Sequence, residues 1–268
     1  MKKKLKEIFL YLLIFGTNNV YTMVTIHPAS NKVVAKAGSK VVGHIVVTNP
    51  YDVPLKVLVQ PEDWSNGKRL SKVEWLKIKK NEYILKPKKS KKVKFVATVP
   101  KDAKGDLISQ IFFASLNPET AEGGVGIGTR VGSLLCITVE GTENVNIGIV
   151  NFEIKKLQEN KYGFLIRAKN SGNVRLPTTG SLKIKDMRTK ETKNYEIRPW
   201  VLLPEESWPF YVGMDGNIEL NSGEYEAEAE IKYTFKDTEG KISKTIEFSI
   251  TSNGEVKVNN NQTTEEVK

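Results

Sequence analysis

The side chains able to make or break bonds are few in this sequence, and they are scattered. There are two histidines, His27 and His44, and one cysteine, Cys136. A metal centre needs three or four nitrogen, sulfur or carboxylate ligands at converging spacings. The two histidines share no such spacing, and no cysteine or acidic cluster accompanies them. Acyl transfer would join a serine or cysteine to a histidine base and an orienting acid, and the sequence contains no nucleophile-elbow pattern. Cys136 falls in the apolar run 133–139, where it is expected as a buried core thiol. The glycine-rich stretch 123–128 invites comparison with a phosphate loop. A phosphate loop opens a helix, whereas Thr129-Arg130-Val131 and a strand-like run follow here. These glycines are therefore expected to connect two strands. Glu205 and Glu206 sit beside Pro204 in a loop, and Glu224, Glu226, Glu228 and Glu230 alternate with Tyr225, Ala227, Ala229 and Ile231 as one wet face of a strand. The expectation is no catalysis, no metal and no cofactor.

The remaining chemistry is charge. The net charge is +10, and it is unevenly shared. Residues 1–22 contribute +3, residues 23–142 contribute +9 and residues 143–268 contribute −2. The basic character belongs to the first half, with a cluster over 86–94. It suits an anionic partner such as an acidic polypeptide, a carboxylate terminus or an anionic envelope polymer. Nucleic acid is not expected, because neither arginine clusters nor stacking aromatics accompany the basic run.

Lys2, Lys3, Lys4 and Lys6 precede an unbroken apolar run at 8–15, followed by polar Thr17-Asn18-Asn19. That order is the signature of an export signal, and the run is too short for a stable bilayer-spanning helix. A signal peptide is expected over 1–22, leaving no integral membrane span after its removal. A retained anchor is the alternative, since Thr22 substitutes poorly for a small residue at the cleavage site. The single cysteine rules out an intramolecular disulfide, so packing must hold the cores.

After residue 22 helical periodicity is almost absent. Short runs rich in Val, Ile, Thr, Phe and Tyr are separated by Gly, Pro, Asn and Asp, the pattern of an all-β sandwich. Strands are expected near 33–36, 41–48, 55–60, 75–78, 91–99, 108–116 and 129–139. A second set is expected near 145–155, 162–170, 181–185, 195–198, 208–212, 223–235 and 241–250. In the run from Lys92 to Val99, Val93, Phe95 and Ala97 can face a core while the lysines stay wet. The sequence 237–240 is expected to turn a hairpin. The reading is all-β, with two tandem immunoglobulin-like β-sandwich domains: 23–142 and 143–252, then a disordered tail over 253–268 that lacks any apolar period.

The first half resembles the N-terminal domain of the periplasmic pilus (fimbrial) chaperones, and the related repeats of WxL-interacting surface proteins. The residues that carry the resemblance are Val46-Val47-Thr48-Asn49-Pro50, Glu62-Asp63-Trp64 and Trp75-Leu76. It continues through Leu85-Lys86-Pro87-Lys88-Lys89-Ser90, Val99-Pro100-Lys101-Asp102-Ala103-Lys104-Gly105 and Gln110-Ile111-Phe112-Phe113-Ala114, to Arg130 and its strand. Asn170-Ser171-Gly172-Asn173-Val174, Leu203-Pro204 and Ser222-Gly223-Glu224-Tyr225 extend it more loosely into the second half. The resemblance implies a chaperone-like protein of the periplasm or cell envelope that binds an extended segment of a pilin-like or surface subunit by strand addition. It implies that Lys32 and Arg130 grip a terminal carboxylate, with Val125, Ile127 and Val131 as the apolar residues around Arg130. Val125 and Ile127 stand among four glycines, which departs from the family's run of large alternating side chains. The alternative is a structural or adhesive envelope protein that binds an anionic polymer or a surface protein through its basic half.

Overall fold

The computed structural model describes residues 24–65, 70, 72–116 and 128–267, with side chains to residue 259. The expected signal peptide, Val125 and Ile127 lie outside the described residues.

The described chain is built of strands. The first sandwich pairs a four-stranded sheet, in the order β1 (Thr25–His27), β3 (Lys40–Thr48), β7 (Ser90–Thr98), β5 (Leu76–Ile78), with a five-stranded one. The latter runs β2 (Ser30–Ala35), β9 (Gly128–Val139), β8 (Gly105–Leu116), β4 (Leu55–Asp63), β6 (Glu82–Leu85). The first strand thus changes sheets between β1 and β2. In the second sandwich, β10 (Ile147–Gln158), β11 (Lys161–Asn170) and β14 (Ser207–Val212) form one sheet, with β15 (Ile218–Glu219) on β11. The other follows the order β13 (Thr192–Leu202), β12 (Leu176–Asp186), β16 (Gly223–Phe235), β17 (Thr238–Ile250), β18 (Val256–Val267).

Alternation explains both cores. On β7, Val93, Phe95 and Ala97 are buried and meet Val47, Val57, Phe113 and Ile137 from the other strands. The second core collects Tyr162, Phe164 and Ile166 from β11 with Ala227, Ala229 and Ile231 from β16 and Phe248 from β17. Each sandwich is locked by a buried asparagine. Asn49 donates through Nδ2 to the carbonyls of Val53, Leu85 and Lys86, and its Oδ1 accepts from the Tyr51 amide. Asn170 donates to Val174, Leu202 and Leu203 and accepts from the Gly172 amide. Both asparagines are fully buried, so these bonds satisfy groups that water cannot reach.

Two sequence expectations are corrected. The tail after Asn253 is not disordered over 256–267: it is β18, paired with β17 from Val256 opposite Ile250 to Val267 opposite Lys241. Ladder hydrogen bonds need no apolar period, and the strand covers an edge that would otherwise be open. The last hairpin turns at Lys236-Asp237, with Phe235 opposite Thr238 and Lys236 at φ 53°, rather than over 237–240. Gly240 lies within β17, where a Cβ would stand 2.3 Å from the Tyr233 ring. Its role is close packing, not turning. The short strands β1, β6 and β15 were not expected. No helix among the described residues is long and apolar enough to cross a membrane.

A free strand edge and the interdomain cleft

Of the candidate residues, Arg130 and Val131 fall on β9, and Lys32 falls on β2 beside it. On one side β9 pairs with β8 over its whole length, from Gly128 opposite Leu116 to Val139 opposite Gly105. On the other side β2 pairs with it in parallel, but only from Ser30 opposite Leu134 to Ala35 opposite Val139. Among the described residues, nothing pairs with the outer edge of 128–133. A half-strand of unmatched N–H and C=O groups is a template for another extended chain.

Leu135, Ile137 and Val139 enter the first core. Cys136 and Thr138 alternate with them and so face the opposite way, toward the second sandwich. There Asp106, opposite Thr138 on β8, is wholly buried. The Thr138 hydroxyl donates to Asp106 Oδ1 over 2.6 Å, and Arg175 donates to Oδ2 from both its backbone amide (2.9 Å) and Nη1 (3.0 Å). Arg175 Nη1 also contacts Cys136 Sγ. Burial first, and then the Asp106 charge, push the Cys136 thiol strongly up, so it remains a neutral thiol. Lys32, opposite Cys136 on β2, is exposed and close enough for its charge to act on the thiol.

The two sandwiches are fastened beside this cluster. Gly105, at φ +68°, donates to Thr142 Oγ1, and a Cβ on it would stand 2.1 Å from the Asn173 carbonyl. Only glycine tolerates both the backbone angle and that approach. The Asp106 amide donates to the same carbonyl over 2.8 Å, and Asn173 Nδ2 donates to the Thr142 carbonyl over 2.9 Å.

The sequence-derived residues therefore separate. Lys32 stands opposite Cys136, beside the contact between the sandwiches. Arg130 lies six residues earlier on β9 than Cys136, about 20 Å away along an extended strand. It is engaged locally: Nη2 contacts Glu62 Oε1 at 2.7 Å, and the guanidinium lies 3.5 Å from the centre of the Phe112 ring. Val131, opposite Phe113, packs partly buried on the first core. The cation that does approach the Lys32 position is Arg175, and with Asp106 it escaped the sequence reading. The available signal was a charge embedded in an apolar strand, Asp106-Leu107-Ile108 and Val174-Arg175-Leu176, since such charges are buried only when paired. His27 and His44 share the outer face of the β1-β3-β7-β5 sheet. Among the described residues no three potential ligands gather into a metal site.

No family model matches the sequence, and no curated protein matches it. Solved structures do. The YadV chaperone is 12% identical with a TM-score of 0.47, covering 91% of this chain and 100% of its own. The E. coli chaperone DraB is 12% identical with a TM-score of 0.42, covering 91% and 98%. A chain of the Salmonella enterica SafA pilin–SafB chaperone complex is 10% identical with a TM-score of 0.43, covering 92% and 98%. These are likenesses of chain arrangement to fimbrial chaperones. They lend no support to the relation with WxL-interacting repeats.

Proposed function

We propose that this chain is a non-catalytic chaperone-like protein of the periplasm, which holds an extended segment of a pilus or surface subunit against the first sandwich. The observation that carries the reading is the outer edge of β9 at 128–133, with which no other described strand pairs. The strand is already ordered by β8, carries no proline, and offers its edge in line with the point where β2 begins, at Ser30 opposite Leu134. An incoming strand would continue the five-stranded sheet with main-chain hydrogen bonds. The cleft beyond it supplies a carboxylate anchor. Lys32 is exposed, and Arg175 has only Nη1 engaged by side chains among the described residues, leaving Nε and Nη2 as donors. Arg175 replaces Arg130 in that role, because Asp106 holds it in place while Glu62 occupies Arg130.

The test uses an extended peptide of alternating apolar residues with a free C-terminal carboxylate. Hydrogen exchange is expected to slow at amides within 128–133 on binding, and protection confined to other strands would remove the edge from consideration. Charge-assisted hydrogen bonds are worth about 1.5–3 kcal/mol. Lys32→Gln should therefore weaken binding roughly tenfold, and amidating the peptide should do the same without adding to the mutation. If amidation leaves the affinity unchanged, the anchor is wrong even where the edge is right.

A further inference from the structure

The β1-β3-β7-β5 sheet contains no aspartate or glutamate in any of its four strands. Its outward positions follow from the register. Lys40 stands opposite Thr98, His44 opposite Lys94, and Val46 lies between His27 and Lys92. Lys77, on β5, lies opposite Val96 and Val96 opposite Val42. Lys40, Lys77, Lys92 and Lys94 are all exposed, and none lies in an ion pair among the described residues. Away from this sheet, lysines of both sandwiches find acids: Lys56 meets Glu82 and Lys88 meets Asp52 in the first, and Lys183 meets Glu228, Lys232 and Lys241 meet Glu230, and Lys236 meets Glu143 in the second. At the centre of the basic face Val42 is 71% exposed. Four unpaired cations on one acid-free sheet repel one another, and that arrangement gains energy only when an anionic surface faces it.

We propose that the outer face of this sheet docks on the anionic headgroup plane of a membrane. A sheet face fits a plane better than a polymer strand. Lys92 and Lys94 are alternate residues of β7, about 7 Å apart, and Lys77 and Lys40 flank them on β5 and β3, opposite Val96 and Thr98, so the cations spread over three strands instead of following one line. The β9 edge belongs to the opposite sheet of the sandwich, about 10 Å behind, so docking leaves it open. This role is independent of the subunit-binding reading, which uses the other face.

The test is co-sedimentation of the full chain with vesicles of 30% phosphatidylglycerol in phosphatidylcholine, compared with pure phosphatidylcholine. Each lysine near such a surface contributes roughly a fivefold factor. The combined variant Lys40→Gln, Lys77→Gln, Lys92→Gln, Lys94→Gln should therefore lose at least a hundredfold in partitioning. Raised salt should do likewise in the parent. A variant that removes the same charge from the second sandwich, Lys190→Gln, Lys193→Gln, Lys232→Gln, Lys257→Gln, should stay within a few-fold of the parent. Both variants keep the N-terminal apolar segment, so their difference reads the face alone. Equal losses in the two would reduce the effect to net charge and overturn the proposal. Parent-like binding by the first variant would also overturn it. So would free polyphosphate that strips the protein from vesicles at matched charge, which would make the ligand a soluble polyanion.

Discussion

The two sandwiches are built around the same corner and differ in what they hang on it. In the first, Asn49 pins the chain at Leu85-Lys86, and the loop Pro87-Lys88-Lys89-Ser90 turns through Lys88 at φ 53° into β7. In the second, Asn170 pins Leu202-Leu203, and Pro204-Glu205-Glu206-Ser207 turns through Glu205 at φ 60° into β14. The registers agree: Leu85 faces Leu55 as Leu202 faces Leu176. Inward positions after the corner remain apolar, Val93 and Phe95 in one and Phe210 and Val212 in the other. Outward positions diverge. Lys92 and Lys94 correspond to Pro209 and Tyr211, and at the rim of the inward face Lys91, opposite Val47, corresponds to Trp208, which packs on the second core. The Lys91 ammonium lies 5.8 Å from the Tyr83 ring centre, where the second sandwich stacks Trp208 on Trp200 at 3.8 Å. The corner and the inward residues set the fold, and the outward residues are left to set what each surface meets. Pro199 and Pro209 also blunt the second sandwich's edges at β13 and β14, whereas the outer edge of β9 carries no such guard.

The largest effect tests whether the two corners are equivalent. Asn170→Ala leaves three carbonyls and one amide without their partner in a dry interior, and should cost about 3 kcal/mol. Asn49→Ala should cost a similar amount. Calorimetry should show each variant lowering the transition of its own sandwich by well over 5 °C. A corner whose asparagine costs under about 1 kcal/mol would not be a lock, and the equivalence would fail with it.

A smaller effect tests the divergence. Trp208→Lys writes the first sandwich's residue into the second, exchanging a stacked pair for a solvated cation above Trp200. The loss should be about 1–2 kcal/mol, the value of an aromatic pair and part of its burial, with β14 still paired to β11 by hydrogen exchange. Loss of that pairing would show that the aromatic pair shapes the strand itself.

Much of this was legible in the sequence, because period-2 alternation is a strong signal where one face is buried. Lys92 to Val99 placed Val93, Phe95 and Ala97 inward, and the glutamates of β16 declared its wet face. What stayed hidden was set at long range. β18 has no apolar period because it is held by its ladder with β17, and the short strands β1, β6 and β15 carry too few residues to show one. Of the proposed anchor, the sequence offered Lys32. It did not offer Arg175, which lies 39 residues beyond Cys136 and meets it only once the sandwiches dock. Arg130 lies six residues before Cys136 on the strand, and no local spacing reveals that Glu62 engages it.

The smallest effect concerns acid, and it separates the sandwiches through charges on the second. The hydrogen bond from Lys236 holds Glu143 below the ordinary carboxylate range, and the bond from Lys241 does the same for Glu230. A carboxylate whose folded value is depressed adds stability above its unfolded value, about 4.3, and loses it as pH falls through the folded one. Both lysines are about half exposed, so the two contacts together should be worth only about 1 kcal/mol. Glu143→Gln with Glu230→Gln should therefore lower the second transition by that amount at pH 7, and the gap to the parent should close between pH 5 and pH 3. The first transition should be the same in parent and variant at every pH. A gap that persisted at pH 3 would mean that the glutamates act through shape rather than charge, and the acid response would then have to be sought elsewhere in the second sandwich.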